Sequence, residues 1–284
     1  MTFPKVLLVL AMAGFMQSCG AGSAPAISEK TGIYRPGEVV WRELVTPNPR
    51  QAAEFYAGLF GWQIEKKSDA GGGYWIISNQ GTPIGGIAQM PVSVRNATGE
   101  WICSVSVADV NGLVGKATEN GATILLQPTD FKGRGRSALV KDPQGAPLAM
   151  LRTESGDPVR AVASDNGWLW TELWSQNMAG SIQFYEQVFG AVTERKKDGQ
   201  RDYVLLKNNA GKEMAGIVAS PVSNIGSHWV SYVKVTAPSA VVRKAKKLGA
   251  RILLEPRADV RNGSLGVFLD PAGAPVAVQR YPIN

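Results

Sequence analysis

Apolar and polar residues follow a fixed order that occurs four times along the chain. In the first unit, positions 39–45 alternate like a half-buried strand, and an apolar stripe at helical spacing then covers 52–59. Asn48 and Gly61 stand where a helix start and a helix stop are expected. Three further strand-like segments follow before the order begins again. The pattern therefore predicts a unit of one strand, one helix and three strands.

The second half of the chain repeats the first. Trp41-Arg-Glu-Leu recurs as Trp170-Thr-Glu-Leu, and an Asp-Pro-x-Gly-Ala-Pro turn at Asp142 recurs at Asp270. The interval from tryptophan to turn is one residue shorter in the second copy, which has therefore lost one residue. Each copy holds two of the four units. We predict two homologous domains and a linker, at 38–152, 167–281 and 153–166 respectively.

The segment 1–19 differs from the rest and resembles a bacterial lipoprotein signal peptide. A lysine precedes the apolar run of 6–15, which is too short to span a bilayer, and a small residue, Cys19 and glycine follow. The resemblance implies lipidation of Cys19, with 20–37, rich in Ala, Gly, Ser and Pro, as a flexible tether. We expect a membrane-anchored protein of the cell envelope, on the outer membrane if the cell has one. An ordinary signal peptide cleaved at 21–26 is the alternative.

Composition removes several classes of protein. The chain has 284 residues, of which 44% are hydrophobic and 19% charged, which is typical of globular domains. Two cysteines exclude a disulfide scaffold, and one histidine excludes a multi-histidine metal site. The net charge of +7 is concentrated around Arg134 and in the segment 243–247. We interpret both as solvated faces, since no nucleic-acid motif accompanies them.

The repeated motifs resemble the vicinal oxygen chelate superfamily, which includes glyoxalases, bleomycin-resistance proteins and extradiol dioxygenases. The resemblance rests on Trp41-x-Glu-Leu, on Phe55-Tyr-x3-Phe-Gly-Trp and on the two Asp-Pro-x-Gly-Ala turns. It implies an α+β fold of two tandem glyoxalase-like domains. Each would consist of two βαβββ modules that form a half-barrel sheet around a cavity. Whether the modules pair within a domain or across the two domains stays open.

Members with enzymatic activity hold a divalent metal in that cavity, on His, Glu or Gln ligands. Carried over by position, the ligand sites of this chain fall on side chains that cannot bind a metal. They are Trp41, Ile102 and Ala149, with Trp170, Val230 and Ala277 in the second copy. One carboxylate remains near the three positions of each domain, and a single carboxylate is too few to hold a divalent metal ion. His228 reads as a surface or strand-end residue. We therefore expect no metal and no cofactor.

The same cavity could bind a ligand without a metal. Six side chains are expected on the same strand face as the carried-over ligand positions, pointing into the cavity. They are Trp41, Glu43, Ser104, Trp170, Glu172 and Tyr232. An indole beside a carboxylate stacks on a flat ring and accepts a hydrogen bond or a positive charge. The alternative is that the tryptophans fill the core and that each glutamate satisfies backbone donors or pairs with an arginine.

Three functions remain in view. The first is an envelope-anchored protein that binds a small hydrophobic or planar ligand without a metal, with no assigned catalytic residue. The second is a metal-dependent lyase or dioxygenase with displaced ligands. The third is a non-catalytic envelope scaffold that binds a protein partner. We expect no nucleic-acid partner, and the oligomeric state stays open.

Overall fold

The computed structural model describes residue 27 and residues 30–68, 73–90, 97–159, 164–199, 201–221 and 226–283. The predicted signal peptide, the lipidation site Cys19 and half of the predicted tether lie outside these residues. Among the residues described, no helix combines the length and the apolar character needed to cross a membrane.

The strand and helix order is the one predicted from the four repeated units. The helices are α1 (Pro49–Phe60), α2 (Val110–Glu119), α3 (Met178–Phe189) and α4 (Pro238–Lys247). The strands of the first domain are β1 (Val39–Thr46), β2 (Gln63–Ser68), β3 (Tyr74–Asn79), β4 (Thr82–Gln89), β5 (Glu100–Ser106), β6 (Thr123–Phe131), β7 (Gly135–Lys141) and β8 (Pro147–Thr153). Those of the second are β9 (Trp168–Ser175), β10 (Val192–Asp198), β11 (Arg201–Lys207), β12 (Glu213–Ala219), β13 (His228–Lys234), β14 (Arg251–Leu254), β15 (Leu265–Leu269) and β16 (Pro275–Gln279).

The helix boundaries follow the sequence signals. Asn48 precedes α1, and Gly61 ends it in the left-handed region with φ 74°. Asn177 is the equivalent start of α3, and its side chain accepts a hydrogen bond from the Gly180 amide. Asn48 makes no such bond and instead donates to Gln51. Glycine at the stop avoids the steric cost that a side chain meets at positive φ.

Each domain forms its own eight-stranded mixed sheet, so the modules pair within a domain. The strand orders are β2-β3-β4-β1-β5-β8-β7-β6 and β10-β11-β12-β9-β13-β16-β15-β14. The two modules of each domain join through an antiparallel pair at the centre, β1 with β5 and β9 with β13. The fold class is therefore α+β, with two tandem domains that each contain two βαβββ modules, as predicted.

The two sheets contact each other through the faces that also carry the helices. Arg42 of β1 donates to the Thr171 hydroxyl of β9 at 2.6 Å, and the Cys103 thiol lies 3.7 Å from the Ser231 hydroxyl. Each of these pairs joins equivalent positions of the two domains. Contacts between equivalent positions are expected where an approximate twofold axis relates two copies. This axis leaves the opposite face of each sheet free to form the inside of a half-barrel.

Two apolar cores join the domains on either side of this axis. One combines residues of α1 and α4, and the other combines residues of α2 and α3. Two further clusters contain no helix residue and occupy the inner faces of the two sheets. Inner-face residues alternate along each strand with residues of the interdomain cores, as the period of two requires.

Candidate functional site

The predicted inner-face residues lie side by side on the two central strands of each sheet. In the first domain, Trp41 pairs in register with Ser104, and Glu43 pairs with Ile102. Trp41 belongs to the inner-face cluster, whereas its strand neighbour Leu44 belongs to an interdomain core. In the first half-barrel, the strand face assigned to these residues from the sequence is therefore the inner face.

The second domain repeats this arrangement. Trp170 pairs in register with Tyr232, and Glu172 pairs with Val230. Tyr232 and Val230 are members of the second inner-face cluster, against which Trp170 packs. The structure thus brings together three of the six predicted residues in each half-barrel.

In the first half-barrel, Glu43 is held by a buried arginine from the loop between β6 and β7. Arg134 Nη1 lies 2.7 Å from Glu43 Oε1, and both side chains are only 4% exposed. Arg134 Nη2 also donates to the Tyr74 hydroxyl at 2.7 Å, and Trp41 Nε1 donates to the same oxygen at 3.3 Å. Arg134 is therefore buried in the half-barrel and not part of a solvated loop, which corrects our interpretation of its charge.

The second half-barrel contains the same set of groups. Arg261 Nη2 lies 2.8 Å from Glu172 Oε1, and Trp170 Nε1 donates to the Tyr203 hydroxyl at 2.8 Å. The Tyr232 hydroxyl donates to the other oxygen of Glu172. Arg261 is further fixed by Asp198 and Gln279, at 2.7 and 2.9 Å.

A glycine opposite each glutamate leaves room for the tyrosine hydroxyl. Gly86 pairs with Glu43 and Gly216 pairs with Glu172 on the neighbouring parallel strands. A Cβ atom at Gly86 would lie 2.0 Å from the Tyr74 hydroxyl, and one at Gly216 would lie 2.0 Å from the Tyr203 hydroxyl. No side chain fits at such a distance, so glycine, tyrosine, glutamate and arginine form one repeated unit.

The charges in both units compensate each other. Burial on its own would lower the pKa of the Arg134 guanidinium, but the Glu43 carboxylate and the Tyr74 hydroxyl raise it, and the net direction is upward. Arg261 behaves in the same way beside Glu172. Burial, followed by the nearby carboxylate, raises the pKa of Tyr203. The tyrosines are therefore neutral hydrogen-bonding groups and the arginines are permanent cations.

The two half-barrels differ in how far they open to solvent. Trp41 is 1% exposed and Tyr74 is fully buried. Their counterparts Trp170 and Tyr203 are both half-buried. The indole and the phenol are therefore buried in the first half-barrel and partly exposed to solvent in the second.

Sequence differences at the rim account for this contrast. Phe131 ends the long strand β6 and is buried in the inner-face cluster of the first domain, where Ile27 also packs. By the interval of the flanking turns, Phe131 corresponds to Asp259, which is exposed, and the smaller Val260 is the buried apolar residue beside it. The equivalent strand β14 has only four residues, against nine in β6.

The carried-over ligand positions do not fit a divalent metal. Trp41, Ile102 and Ala149 have no donor atom for a metal ion, and neither do Trp170, Val230 and Ala277. Glu43 and Glu172 are each paired with an arginine, which neutralises the negative charge that a metal ion would need. Within the described residues, no three His, Cys, Asp or Glu side chains come together as a metal-binding group. No step of a reaction can therefore be assigned to a metal here.

His228 lies at the boundary between the domains. It is the first residue of β13, and its Nδ1 lies 3.7 Å from Glu100 Oε1. Glu100 occupies the equivalent position in the first domain, so this pair is another contact across the approximate twofold axis. The contact accounts for Nδ1 of His228, while its buried Nε2 has no hydrogen-bond partner among the described residues.

The repeated tyrosines and arginines are functional candidates that our sequence reasoning missed. Tyr74 and Tyr203 are separated by the same interval as Trp41 and Trp170, so the repeat itself carried a signal for them. The interval between Arg134 and Arg261 is one residue shorter than the interval between the flanking turns, and the arginines therefore escaped the comparison. Their positions in polar, glycine-containing loops also favoured a solvated interpretation.

The chain is similar to known proteins over both domains. A family model described as a glyoxalase-like domain matches residues 39–151, and the model of the glyoxalase/bleomycin resistance protein/dioxygenase superfamily matches residues 167–278. A putative glyoxylase, CFP32, of Mycobacterium bovis is 29% identical and covers 86% of this chain and 95% of its own length. The anthracycline biosynthesis protein DnrV of Streptomyces peucetius is 28% identical, over 86% of this chain and 94% of its own.

Solved structures share the fold at low sequence identity. The Mn(II)-bound glyoxalase from Novosphingobium aromaticivorans superposes with a TM-score of 0.59 at 14% identity, covering 87% of this chain and 83% of its own. The 2,3-dioxygenase LapB from Pseudomonas sp. KL28 gives a TM-score of 0.54 at 16% identity, covering 90% and 96%. At such identities the likeness concerns the fold alone.

Proposed function

Because this chain consists of two tandem domains of the glyoxalase/bleomycin resistance protein/dioxygenase superfamily, we propose that it binds a small planar ligand without a metal. The second half-barrel is the binding site and the first is a closed structural counterpart. One observation carries the proposal: Trp170 is half-buried, whereas its equivalent, Trp41, is only 1% exposed.

The surroundings of Trp170 favour an uncharged, flat ligand. Its Nε1 is held by Tyr203, which fixes the plane of the indole and leaves the ring face for stacking. Half-buried apolar side chains border the same inner face, namely Leu169, Val218, Leu253 and Leu254. A ligand cation gains little from Glu172, because Arg261 already neutralises that carboxylate.

The similar proteins offer independent support for the ligand class. Two of them are named anthracycline biosynthesis proteins, and anthracyclines contain a planar fused-ring system. The names of these two relatives and the half-buried indole of Trp170 together support a planar ligand.

A binding assay with planar aromatic compounds tests the proposal on the full-length chain. Quenching of tryptophan fluorescence reports occupancy, and we expect one binding site per chain. Trp170→Leu removes the stacking surface and should weaken affinity roughly two- to ten-fold, given about 0.5–1.5 kcal/mol for an aromatic pair beyond its area burial. Trp75→Leu is the matched control, since Trp75 is also half-buried but lies on β3 of the first domain, over Lys66.

The same assay separates the alternatives. Stoichiometric divalent metal retained after dialysis, with turnover of hemithioacetals or catechols that a chelator abolishes, would contradict the metal-free proposal and favour the enzyme. Equal binding by parent and Trp170→Leu would place the site elsewhere. Failure of every planar probe to bind would leave the envelope scaffold.

We also propose that the protein is lipid-anchored in the cell envelope through Cys19, with its domains facing the periplasm or the exterior. The support is the order of lysine, apolar run, small residue, cysteine and glycine between Lys5 and Gly20. Labelling of cells with radioactive palmitate should mark the parent and spare Cys19→Ser. Labelling of both, or of neither, would contradict the anchor.

A further inference from the structure

The approximate twofold axis exchanges two pairs of helices that differ strongly in charge. Helix α1 lies beside α4, where the Lys244 ammonium donates to the Leu59 carbonyl at 3.3 Å. Helix α2 lies beside α3 in the other interdomain core. We call the solvent side of the first pair the α1–α4 face. The two helix pairs have the same place in the fold, so a difference in charge between them comes from the sequence.

The α1–α4 face is basic because of three side chains on α4. Arg243, Lys246 and Lys247 are exposed, and their spacing of three and four residues puts them on one side of the helix. Val242 and Ala245 are buried on the opposite side. Helix α4 contains four basic residues and no acidic one, whereas α2 and α3 together contain one lysine and two glutamates.

The fold itself does not require these cations. The positions of α2 equivalent to Arg243, Lys246 and Lys247 carry Gly115, Thr118 and Glu119. Basic residues in a last turn stabilise a helix through its dipole, yet α2 forms at the equivalent place with only Lys116 there. Lys244, which is equivalent to Lys116, is the one that contacts the other domain.

The cations are available to a partner. Within the described part of the chain, no ion pair involves Arg243, Lys246, Lys247 or the neighbouring exposed Arg251. Leu248 follows directly and is 39% exposed. A group of unpaired basic side chains beside a partly exposed aliphatic one suits the headgroup region of a bilayer, to which positive charge is attracted.

We propose that the α1–α4 face binds the surface of anionic phospholipid membranes. A nucleic acid is the less suitable partner because α4 carries no aromatic side chain on which a base could stack. The contact would orient both domains on the membrane and would act beside a lipid anchor. It does not depend on the anchor, since it rests on side chains of the folded domain.

Vesicle co-sedimentation of the full-length Cys19→Ser chain tests the proposal. The ratio of affinities for phosphatidylglycerol-containing and purely phosphatidylcholine vesicles isolates the electrostatic part from any binding by the apolar leader. We expect Arg243→Gln, Lys246→Gln and Lys247→Gln together to lower this ratio by roughly 100-fold, at about five-fold for each basic residue. The matched control replaces Lys132, Arg195 and Arg201, which are exposed elsewhere, by glutamine.

Three results would overturn the proposal. One is a parent chain without preference for anionic vesicles, and another is an equal loss in the control triple variant. The third is tighter binding of a DNA or RNA oligonucleotide than of the vesicles, with the same dependence on the three cations. An unchanged circular dichroism spectrum and thermal midpoint establish that the variants fold. We expect them to fold because α2 forms without a basic residue at the three equivalent positions.

Discussion

The Tyr56 hydroxyl in α1 donates a hydrogen bond of 3.0 Å to Asp270, in the Asp-Pro-x-Gly-Ala turn of the other domain. Tyr185 and Asp142 form the reciprocal bond, also at 3.0 Å. In each turn the second carboxylate oxygen accepts hydrogen bonds from two backbone amides. The aspartate therefore stabilises its own turn and also binds the tyrosine of the other domain. The repeated motif is therefore also the contact by which the domains recognise each other.

The interdomain aspartates predict an unusual pH dependence. Burial raises the pKa of Asp270 above the ordinary value of 3.8, although the turn amides and Tyr56 oppose this shift. A carboxyl group whose pKa is raised by folding holds its proton more tightly in the native state. Its contribution to stability is therefore present at low pH and is lost as the pH rises from the unfolded value through the folded one.

We expect Asp270→Asn to gain stability relative to the parent as the pH rises through this window. Asparagine stays neutral, and its carbonyl oxygen can still accept the turn amides. Urea unfolding of both proteins at a series of pH values between about 3 and 7 measures the difference. Asp259→Asn, at an exposed position, is the control for loss of one carboxylate. A difference that falls with rising pH would contradict the direction.

The buried Glu43–Arg134 pair predicts a large effect of a conservative substitution. Glu43→Gln leaves the guanidinium buried without a counter-charge, which typically costs about 3–5 kcal/mol of unfolding free energy. Glu43→Leu with Arg134→Met removes both charges and should cost much less. Chemical denaturation measures both variants. The exposed pair of Lys197 and Asp202 is the control, and Asp202→Asn should leave the unfolding midpoint nearly unchanged.

The sequence predicted which residues face the half-barrels and offered an arginine partner for each glutamate as an alternative, but it did not identify Arg134 or Arg261 as that partner. Period-two alternation and the repeat were enough to place Trp41 beside Glu43 on the inner face. The arginine partners were not predictable in this way, because a loop arginine is recognised as buried only once its strand neighbours have a common interior. A hydrophobic pattern reports on residues close in sequence, whereas Glu43 and Arg134 are 91 residues apart.

The same limitation applies to the contacts between domains. The repeat identified Tyr56 and Asp270 as recurring residues, but each could have served its own domain only. The pairing depends on which sheet faces meet, and both faces of these strands are apolar. Similarly, Ile27 lies in a segment whose Ala, Gly, Ser and Pro content indicated a tether, and its burial in the first domain depends on a pocket formed by distant strands.

A tryptophan that occurs in one domain only makes the two interdomain cores unequal. The Trp168 ring lies 5.2 Å from the rings of Trp62 and Trp101, and its Nε1 donates to the Ile84 carbonyl at 2.8 Å. The equivalent position is Val39, beside an apolar cavity of about 20 Å³ in the other core.

We expect opposite effects from substitutions at these two positions. Trp168→Val removes packing and should lower the free energy of unfolding by about 2–4 kcal/mol. Val39→Ile adds one methylene group toward the cavity and should raise it by up to about 0.8 kcal/mol. Equilibrium denaturation measures both. A destabilised Val39→Ile would show that the cavity does not admit the added group.

The segment that precedes the first strand is bound to the linker between the domains through Asp157. Asp157 is fully buried in the linker between the domains, and its carboxylate accepts hydrogen bonds from the Arg35 amide at 2.6 Å and the Thr153 hydroxyl at 3.0 Å. Its own amide donates to the Ile33 carbonyl at 2.7 Å. One aspartate thus fastens the N-terminal segment to the linker, in the same part of the chain from which Ile27 packs into the first half-barrel.

Asp157→Ala should release this segment while both sheets stay folded. A buried donor left without its acceptor costs about 1–3 kcal/mol, so the Arg35 amide should exchange its hydrogen roughly 10- to 100-fold faster. Hydrogen exchange followed by mass spectrometry measures this on the peptide that contains Arg35, with peptides from β5 and β13 as internal references. Asp165→Ala, at an exposed linker position, is the matched control. Equal acceleration in both variants would show that the linker as a whole, and not Asp157, holds the segment in place.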